Sequence, residues 1–133
     1  MRFCFICFSV FAILHRSSFA QAAIEINNLR NSKGKVLIEV YDGDKNVIAR
    51  MQERIEDNIC LVFIKDIIPG KYAFRYFHDE NNNEILDTNW IGIPKEGFGF
   101  SNNAMGTFGP PSFEKWIFEL ETNKKIICNP KYL

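Results

Sequence analysis

Residues 60–77 read CLVFIKDIIPGKYAFRYF, and their pattern decides the class of fold. Apolar side chains recur at every second position from Cys60 to Ile64, which is the period of a β-strand. The pair Pro69-Gly70 then favours a turn, after which aromatic side chains alternate from Tyr72 to Tyr76. The stretch therefore predicts two strands joined by a short turn.

Similar short apolar segments separated by turn residues lie on both sides of this stretch. Strands are predicted over 24–29, 36–41, 60–65, 71–77, 116–120 and 126–128. Residues 47–56 also suit helical spacing, but their neighbours favour a strand there as well. We therefore expect an all-β chain, a single antiparallel β-sandwich of about seven strands, transthyretin- or immunoglobulin-like.

A long stretch without any regular period follows the central strands. From Thr88 to Ser112, glycines and prolines recur too often for an element of any length. Irregular loops of this length in a compact domain are usually functional or are held by a ligand.

The first twenty residues predict a secretory signal peptide. Arg2 precedes an apolar run from Phe3 to Leu14, which is too short to span a bilayer. The small-x-small pattern of residues 18–20 predicts cleavage after Ala20, and residues 20–22 offer a second position after Ala22. An uncleaved N-terminal anchor is the alternative. The mature chain, 21–133, is then an exported domain, periplasmic or secreted, without a transmembrane segment.

Charge excludes one class of partner. Without Arg2 and Arg16, 14 basic residues face 16 acidic ones, a formal net charge of −2, and they are interspersed. No basic run is present that would attract nucleic acid. A protein, peptide or glycan partner stays open, as does the oligomeric state.

Two cysteines remain in the predicted mature chain. Cys60 and Cys128 could form a disulfide in an oxidising compartment. Two thiols buried in strands are the alternative, because sequence does not supply the geometry of a bridge.

Oxygen-bearing side chains at alternate positions after residue 78 indicate a calcium loop. Asp79, Asn81, Asn83 and Asp87 fall at positions one, three, five and nine, and the Ile85 carbonyl falls at position seven. Oxygen ligands without a thiolate cluster favour calcium over zinc. The alternative is a polar turn in which these side chains cap backbone amides.

This loop lacks two features of a helical calcium hand. Glu84 stands where glycine is usual, and Trp90 stands where a bidentate glutamate is usual. A further ligand must therefore come from elsewhere, and Glu96 is the natural donor, with Glu80 or Glu84 as alternatives.

Aromatic and amide side chains in the long loop offer a ligand-binding surface. The candidate contacts are Trp90, Phe98, Phe100, Asn102 and Asn103. Loop aromatics more often close the end of a core, so inward packing is the competing interpretation.

Catalysis has little support in the sequence. His78 with Asp79 or Glu96 would be the centre of a hydrolase-like site, but no nucleophile motif accompanies it. A histidine at a strand end is more often packed beside aromatic side chains.

Several of these motifs resemble one family. Residues 70–73, 77–83, 87–89, 92–103 and 108–114 are similar to an exported bacterial family known as a domain of unknown function, number 2141. Agreement is densest over 70–118, and Glu84 and Trp116 depart from the family's usual residues. The resemblance implies an exported single-domain β-protein, but it supplies no activity or ligand. The turn and strand at 69–72 are similar, more loosely, to transthyretin-like and collagen-adhesin B-type sandwiches, at the level of fold alone.

Together these patterns predict an exported binding or structural module of the cell envelope with a calcium-organised loop. The alternatives are a hydrolase-like enzyme at His78 and a metal-free structural domain.

Overall fold

The structure, a computed structural model, describes residues 19–133, and this part of the chain is all-β. The strands are β1 (Ala20–Ile26), β2 (Lys35–Asp42), β3 (Val47–Arg54), β4 (Cys60–Ile67), β5 (Gly70–Asp79), β6 (Phe98–Phe100), β7 (Phe118–Leu120) and β8 (Lys124–Cys128). Two short 3-10 helices span Ser101–Asn103 and Phe113–Lys115. The predicted fold class is confirmed, and the ambiguous segment after residue 46 is strand β3.

The strands form two sheets. One has the order β4-β1-β8, and the other has the order β3-β2-β5-β6 with β7 also paired to β5. Every strand pairing is antiparallel except that of β1 with β8, where Ile24 lies opposite Ile126. The predicted antiparallel sandwich therefore contains one parallel pair of strands. Strands β7 and β8 belong to different sheets, so the turn between them is not a hairpin and leaves the direction of β8 free.

The main core lies between the two sheets. The alternating apolar residues of β1, β2, β4 and β5 point inward, and Phe74 is fully buried among them. On β4 the predicted alternation is confirmed, because Cys60 and Val62 are buried whereas Leu61 and Phe63 are exposed.

A second, smaller core covers the outer face of the five-stranded sheet. Tyr41, Ala73, Phe100 and Trp116 are buried together there. The covering residues come from the segment 98–117, so the second half of the predicted long loop is folded onto the sheet. Trp116 follows the second 3-10 helix instead of lying on a strand, which shortens the strand predicted over 116–120.

Cys60 and Cys128 are free and buried. Both lie opposite Ile26, one on each side of strand β1. Two strand spacings separate their Cα atoms by about 9–10 Å, beyond the reach of a disulfide. Of the two possibilities that the sequence left open, the structure contains the two buried thiols and not the bridge.

The predicted signal peptide falls largely outside the described residues. Its cleavage positions, after Ala20 and after Ala22, lie in β1. Within residues 19–133, no helix is long and apolar enough to cross a membrane.

Candidate functional site

The candidate calcium loop begins on the last residue of β5. Asp79 pairs with Lys35 in the sheet and is fully buried. Its two carboxylate oxygens accept the backbone N–H groups of Asn83 at 3.1 Å and Glu84 at 2.9 Å. The first predicted ligand thus closes the loop back onto the end of the strand.

Three further predicted ligands lie together. The side-chain amides of Asn81 and Asn83 donate to the two oxygens of the Asp87 carboxylate, at 2.6 Å and 2.9 Å. Their amide oxygens accept backbone N–H groups two residues further on, those of Asn83 at 3.3 Å and Ile85 at 3.1 Å. Each asparagine therefore forms an Asx turn and also contacts the same carboxylate.

The position that usually holds glycine is left-handed here too. Glu84 has φ 62°, and Asn82 has φ 56°. The Glu84 carboxylate is held outside the loop by Lys35 at 2.9 Å and Gln52 at 3.0 Å. The hydrogen bond from Lys35 is the main cause that lowers the pKa of Glu84. The chain thus makes the sharp bend without glycine.

Glu96 lies against the loop, as the sequence predicts. It is 4% exposed, and its two oxygens accept the N–H groups of Glu80 at 3.0 Å and Asp87 at 3.1 Å. Burial raises the pKa of Glu96, and the nearby charges of Asp87 and Asp79 add to this, while the two N–H donors oppose it. One buried carboxylate therefore links both ends of the loop.

Within residues 19–133, no three His, Cys, Asp or Glu side chains form a group that could hold a metal ion. A cation in this loop would depend on the Asn81 and Asn83 oxygens and the Ile85 carbonyl, in addition to carboxylates. The Ile85 side chain itself is exposed.

Two cationic side chains, Arg30 and Lys35, contact acidic residues of the loop, and no sequence motif indicates either contact. Arg30 donates to Glu80 at 2.5 Å and to the Lys95 carbonyl at 3.2 Å, which connects both sides of the loop. Burial raises the pKa of Glu80, but the hydrogen bond from Arg30 outweighs it and lowers the pKa overall. Arg30 is 50 positions from Glu80 in the chain, and no local pattern indicates this contact.

His78 has no free nitrogen for catalysis. It is fully buried, with Nδ1 at 2.9 Å from the Tyr132 hydroxyl and Nε2 at 2.7 Å from the Lys33 carbonyl. A catalytic base must reach the substrate. The hydrolase-like interpretation therefore loses the residue on which it depends, whereas the predicted packing beside aromatics is observed in the edge-on contact with Tyr132.

The predicted ligand-contact residues do not form one surface. Phe100 is buried in the second core, and Phe98 is half-buried. The Asn102 side chain donates to the carbonyls of Lys115 and Ile117, and Asn103 accepts the N–H of Asn129. Trp90, by contrast, is 93% exposed.

Comparison with known proteins identifies a family. The model of the family described as "Uncharacterized protein conserved in bacteria (DUF2141)" matches residues 24–127. No curated protein matches the chain. The matched segment contains the calcium-like loop, Glu96 and all the strands except the first residues of β1 and the last residue of β8.

Proposed function

The chain belongs to the DUF2141 family of uncharacterised bacterial proteins, and we propose from its own residues that it is an exported binding or structural module of the cell envelope. In this proposal Asp79, Asn81, Asn83, Asp87 and the Ile85 carbonyl bind Ca²⁺. The ion orders the following loop and takes no part in chemistry.

One observation carries the proposal. Within nine residues, two asparagine side chains reach the two oxygens of Asp87, and a buried Asp79 closes the same turn. A hard cation requires several oxygens from one tight loop, and carboxylate and amide oxygens are of the right kind. Amide oxygens would have to replace the amide nitrogens beside Asp87, so each side chain would have to rotate and its oxygen would give up the backbone N–H group that it accepts.

Glu96 has a supporting role in this proposal. Both of its oxygens accept backbone N–H groups of the loop, and they hold residues 80 and 87 together. A ligand set that is held by such a partner needs less ordering when the ion binds.

The expected affinity suits an exported protein. Calcium modules outside cells bind at about 10⁻⁴ to 10⁻³ M, far above the free calcium of a cytoplasm. The site would then fill after export and stay empty before it.

The test is a calorimetric titration with Ca²⁺, combined with thermal unfolding at millimolar calcium. We expect heat of binding and a higher melting temperature for the natural chain, and neither for Asp87→Asn, because that change removes the central carboxylate. The control is Asp44→Asn, an equal change of charge in an exposed turn that lies on another loop. If the natural chain shows no heat and no change in melting temperature, the calcium proposal fails.

A metal-free structural domain is the second candidate, and one observation favours it. The oxygens of Asp79, Asn81, Asn83, Asp87 and Glu96 that face the loop already accept N–H groups of the chain itself. Under this candidate Asp87→Asn lowers the melting temperature by the same amount with calcium and with a chelator. A calcium-dependent difference between the two conditions excludes it.

A further inference from the structure

Residues 88–94 form a small protruding hairpin directly after the candidate calcium loop. Thr88 and Pro94 form a β-bridge at its base. The N–H of Asn89 donates to the Ile93 carbonyl at 2.9 Å, and the N–H of Gly92 donates to the Asn89 carbonyl at 3.0 Å. This apolar tip, as residues 88–94 are called below, is a shaped element.

The apolar tip exposes large hydrophobic side chains. Trp90 is 93% exposed, Ile91 is 62% exposed and Ile93 is 43% exposed. No residue from Thr88 to Pro94 is charged. Several large apolar side chains at one exposed point are typical of a surface that becomes covered.

The backbone of the apolar tip satisfies most of its own donors. The Asn89 side-chain oxygen accepts the N–H groups of Ile91 at 2.9 Å and Ile93 at 3.0 Å. With the two backbone bonds at the base, the N–H groups of Asn89, Ile91, Gly92 and Ile93 all have partners. Water would satisfy these groups without help, whereas a bilayer would not.

We propose that the apolar tip inserts into the interfacial region of a phospholipid bilayer. Trp90 supplies a side chain that is favoured at the level of the lipid headgroups, and the isoleucines lie beside it. Lys95, the first charged residue after the tip, is exposed at its base, where an ammonium group would meet lipid phosphates.

A bilayer fits the apolar tip better than a protein pocket does. A protein pocket combines apolar contacts with a few placed polar or charged groups that fix orientation, and the tip offers no charge and few free N–H groups to meet them. An apolar phase without specific partners requires only hydrophobic area and a satisfied backbone. The inference rests on the proposed function in one respect, since an exported envelope protein would meet such a surface.

The test uses the exported form of the chain, without the predicted signal peptide, with neutral phosphatidylcholine vesicles and with matched vesicles that contain phosphatidylglycerol. The chain has two tryptophans, and Trp116 is 5% exposed, so a blue shift on adding vesicles reports Trp90. We expect this shift and cosedimentation with the vesicles. Stronger binding to the anionic vesicles would support an electrostatic contribution to binding, as expected of Lys95.

Variants localise the effect. Trp90→Ala should weaken cosedimentation by about tenfold or more, whereas Trp90→Phe should retain most of it. Phe108→Ser is the matched control, because Phe108 is fully exposed on a different loop, and it should bind like the natural chain. An equal loss of vesicle binding in Phe108→Ser and Trp90→Ala would indicate nonspecific hydrophobic binding and overturn the proposal.

The remaining outcomes separate this inference from the calcium proposal. Heat of calcium binding without any vesicle binding overturns the inference and leaves the calcium loop intact. Vesicle binding that depends on Trp90 supports the inference even if the calcium titration shows no heat of binding. A photo-crosslinker at position 90 that labels only protein, or self-association that Trp90→Ala abolishes, overturns the inference in favour of a protein partner or a second copy.

Discussion

At the scale of single residues, backbone conformations with positive φ place the candidate site. Gly34 has φ 67°, and a Cβ there would lie 1.9 Å from the carbonyl oxygen of Asp79. The turn before β2 therefore approaches the start of the loop to a distance that only glycine permits. Glu84 shows that a non-glycine residue adopts a left-handed conformation where its side chain has room and partners.

Gly34→Ala should destabilise the protein by more than ~2 kcal/mol, because left-handed strain and a backbone clash add together. Gly92→Ala is the matched control, with φ 88° and no atom within 4 Å of its Cβ, so it should cost only about 1 kcal/mol. Urea unfolding of both variants measures the difference. Equal losses would show that the approach to Asp79 adds nothing.

The hydrogen bonds of Glu39 predict how the stability of the fold depends on pH. Burial raises the pKa of Glu39, but hydrogen bonds from Tyr41, Arg75 and Arg50 outweigh it, so the pKa lies below its usual value. A carboxyl with a lower pKa in the folded state stabilises the fold above its unfolded pKa, and this contribution is lost as pH falls through the folded pKa.

We therefore expect the free energy of unfolding to fall as the pH drops below the usual value of 4.5, and Glu39→Gln to reduce that slope. Urea unfolding at a series of acidic pH values measures it. Glu114→Gln, on an exposed residue, is the control and should keep the slope of the natural chain. A slope that is unchanged in Glu39→Gln would contradict the prediction.

At the scale of elements, β5 organises the five-stranded sheet. It pairs with β2 along its length, with β7 near its start and with β6 near its end. Between β7 and β6, the N–H of Phe74 donates to the Ser101 hydroxyl at 3.1 Å, which fills the gap in the ladder. The same strand ends in Asp79, so a strand that is paired on both edges positions the loop.

Strand β1 lies between the two cysteines of its sheet, Cys60 on β4 and Cys128 on β8. Burial raises the pKa of Cys60 to about 12 and also raises that of Cys128. Neither thiol should react with a maleimide in the native protein, and both should react in denaturant, because reaction needs an exposed thiolate. Dithiothreitol should leave the melting temperature unchanged. A mass lower by two hydrogen atoms in the absence of reductant would contradict this.

At the scale of the whole molecule, one core holds the two sheets together. Phe74 is fully buried between them and meets Phe118 edge-on, with ring centroids 5.9 Å apart. A domain of this size has about 5–15 kcal/mol of net stability, so one large cavity removes a substantial part of it.

Phe74→Ala should cost ~3–5 kcal/mol in the free energy of unfolding, since it leaves a cavity between the sheets. Phe63→Ala is the control on the outer face of β4, where the side chain is 59% exposed, and it should cost about 0.5 kcal/mol or less. Chemical denaturation of both variants measures the contrast. Similar losses would mean that the core does not lie between the sheets.

Local sequence determined the all-β class, most strand positions and the candidate loop with Glu96 beside it. Alternation on β4 and β5 and the turn residues between strands are short-range signals, which a period of two and turn chemistry reveal. The candidate residues of the loop are near one another in the chain, so their spacing was visible as well.

Only the tertiary structure decided which side chains are free to act. His78 and Phe100 are buried because β5 carries a core on each face, whereas Trp90 is exposed because it lies on a small hairpin outside both cores. The parallel pairing of β8 and the contact of Arg30 with Glu80 join residues about 50 to 100 positions apart, and Cys60 and Cys128 are similarly distant in the chain. Such contacts depend on how two sheets stack and on which edge a strand joins, and neither is encoded in a local period.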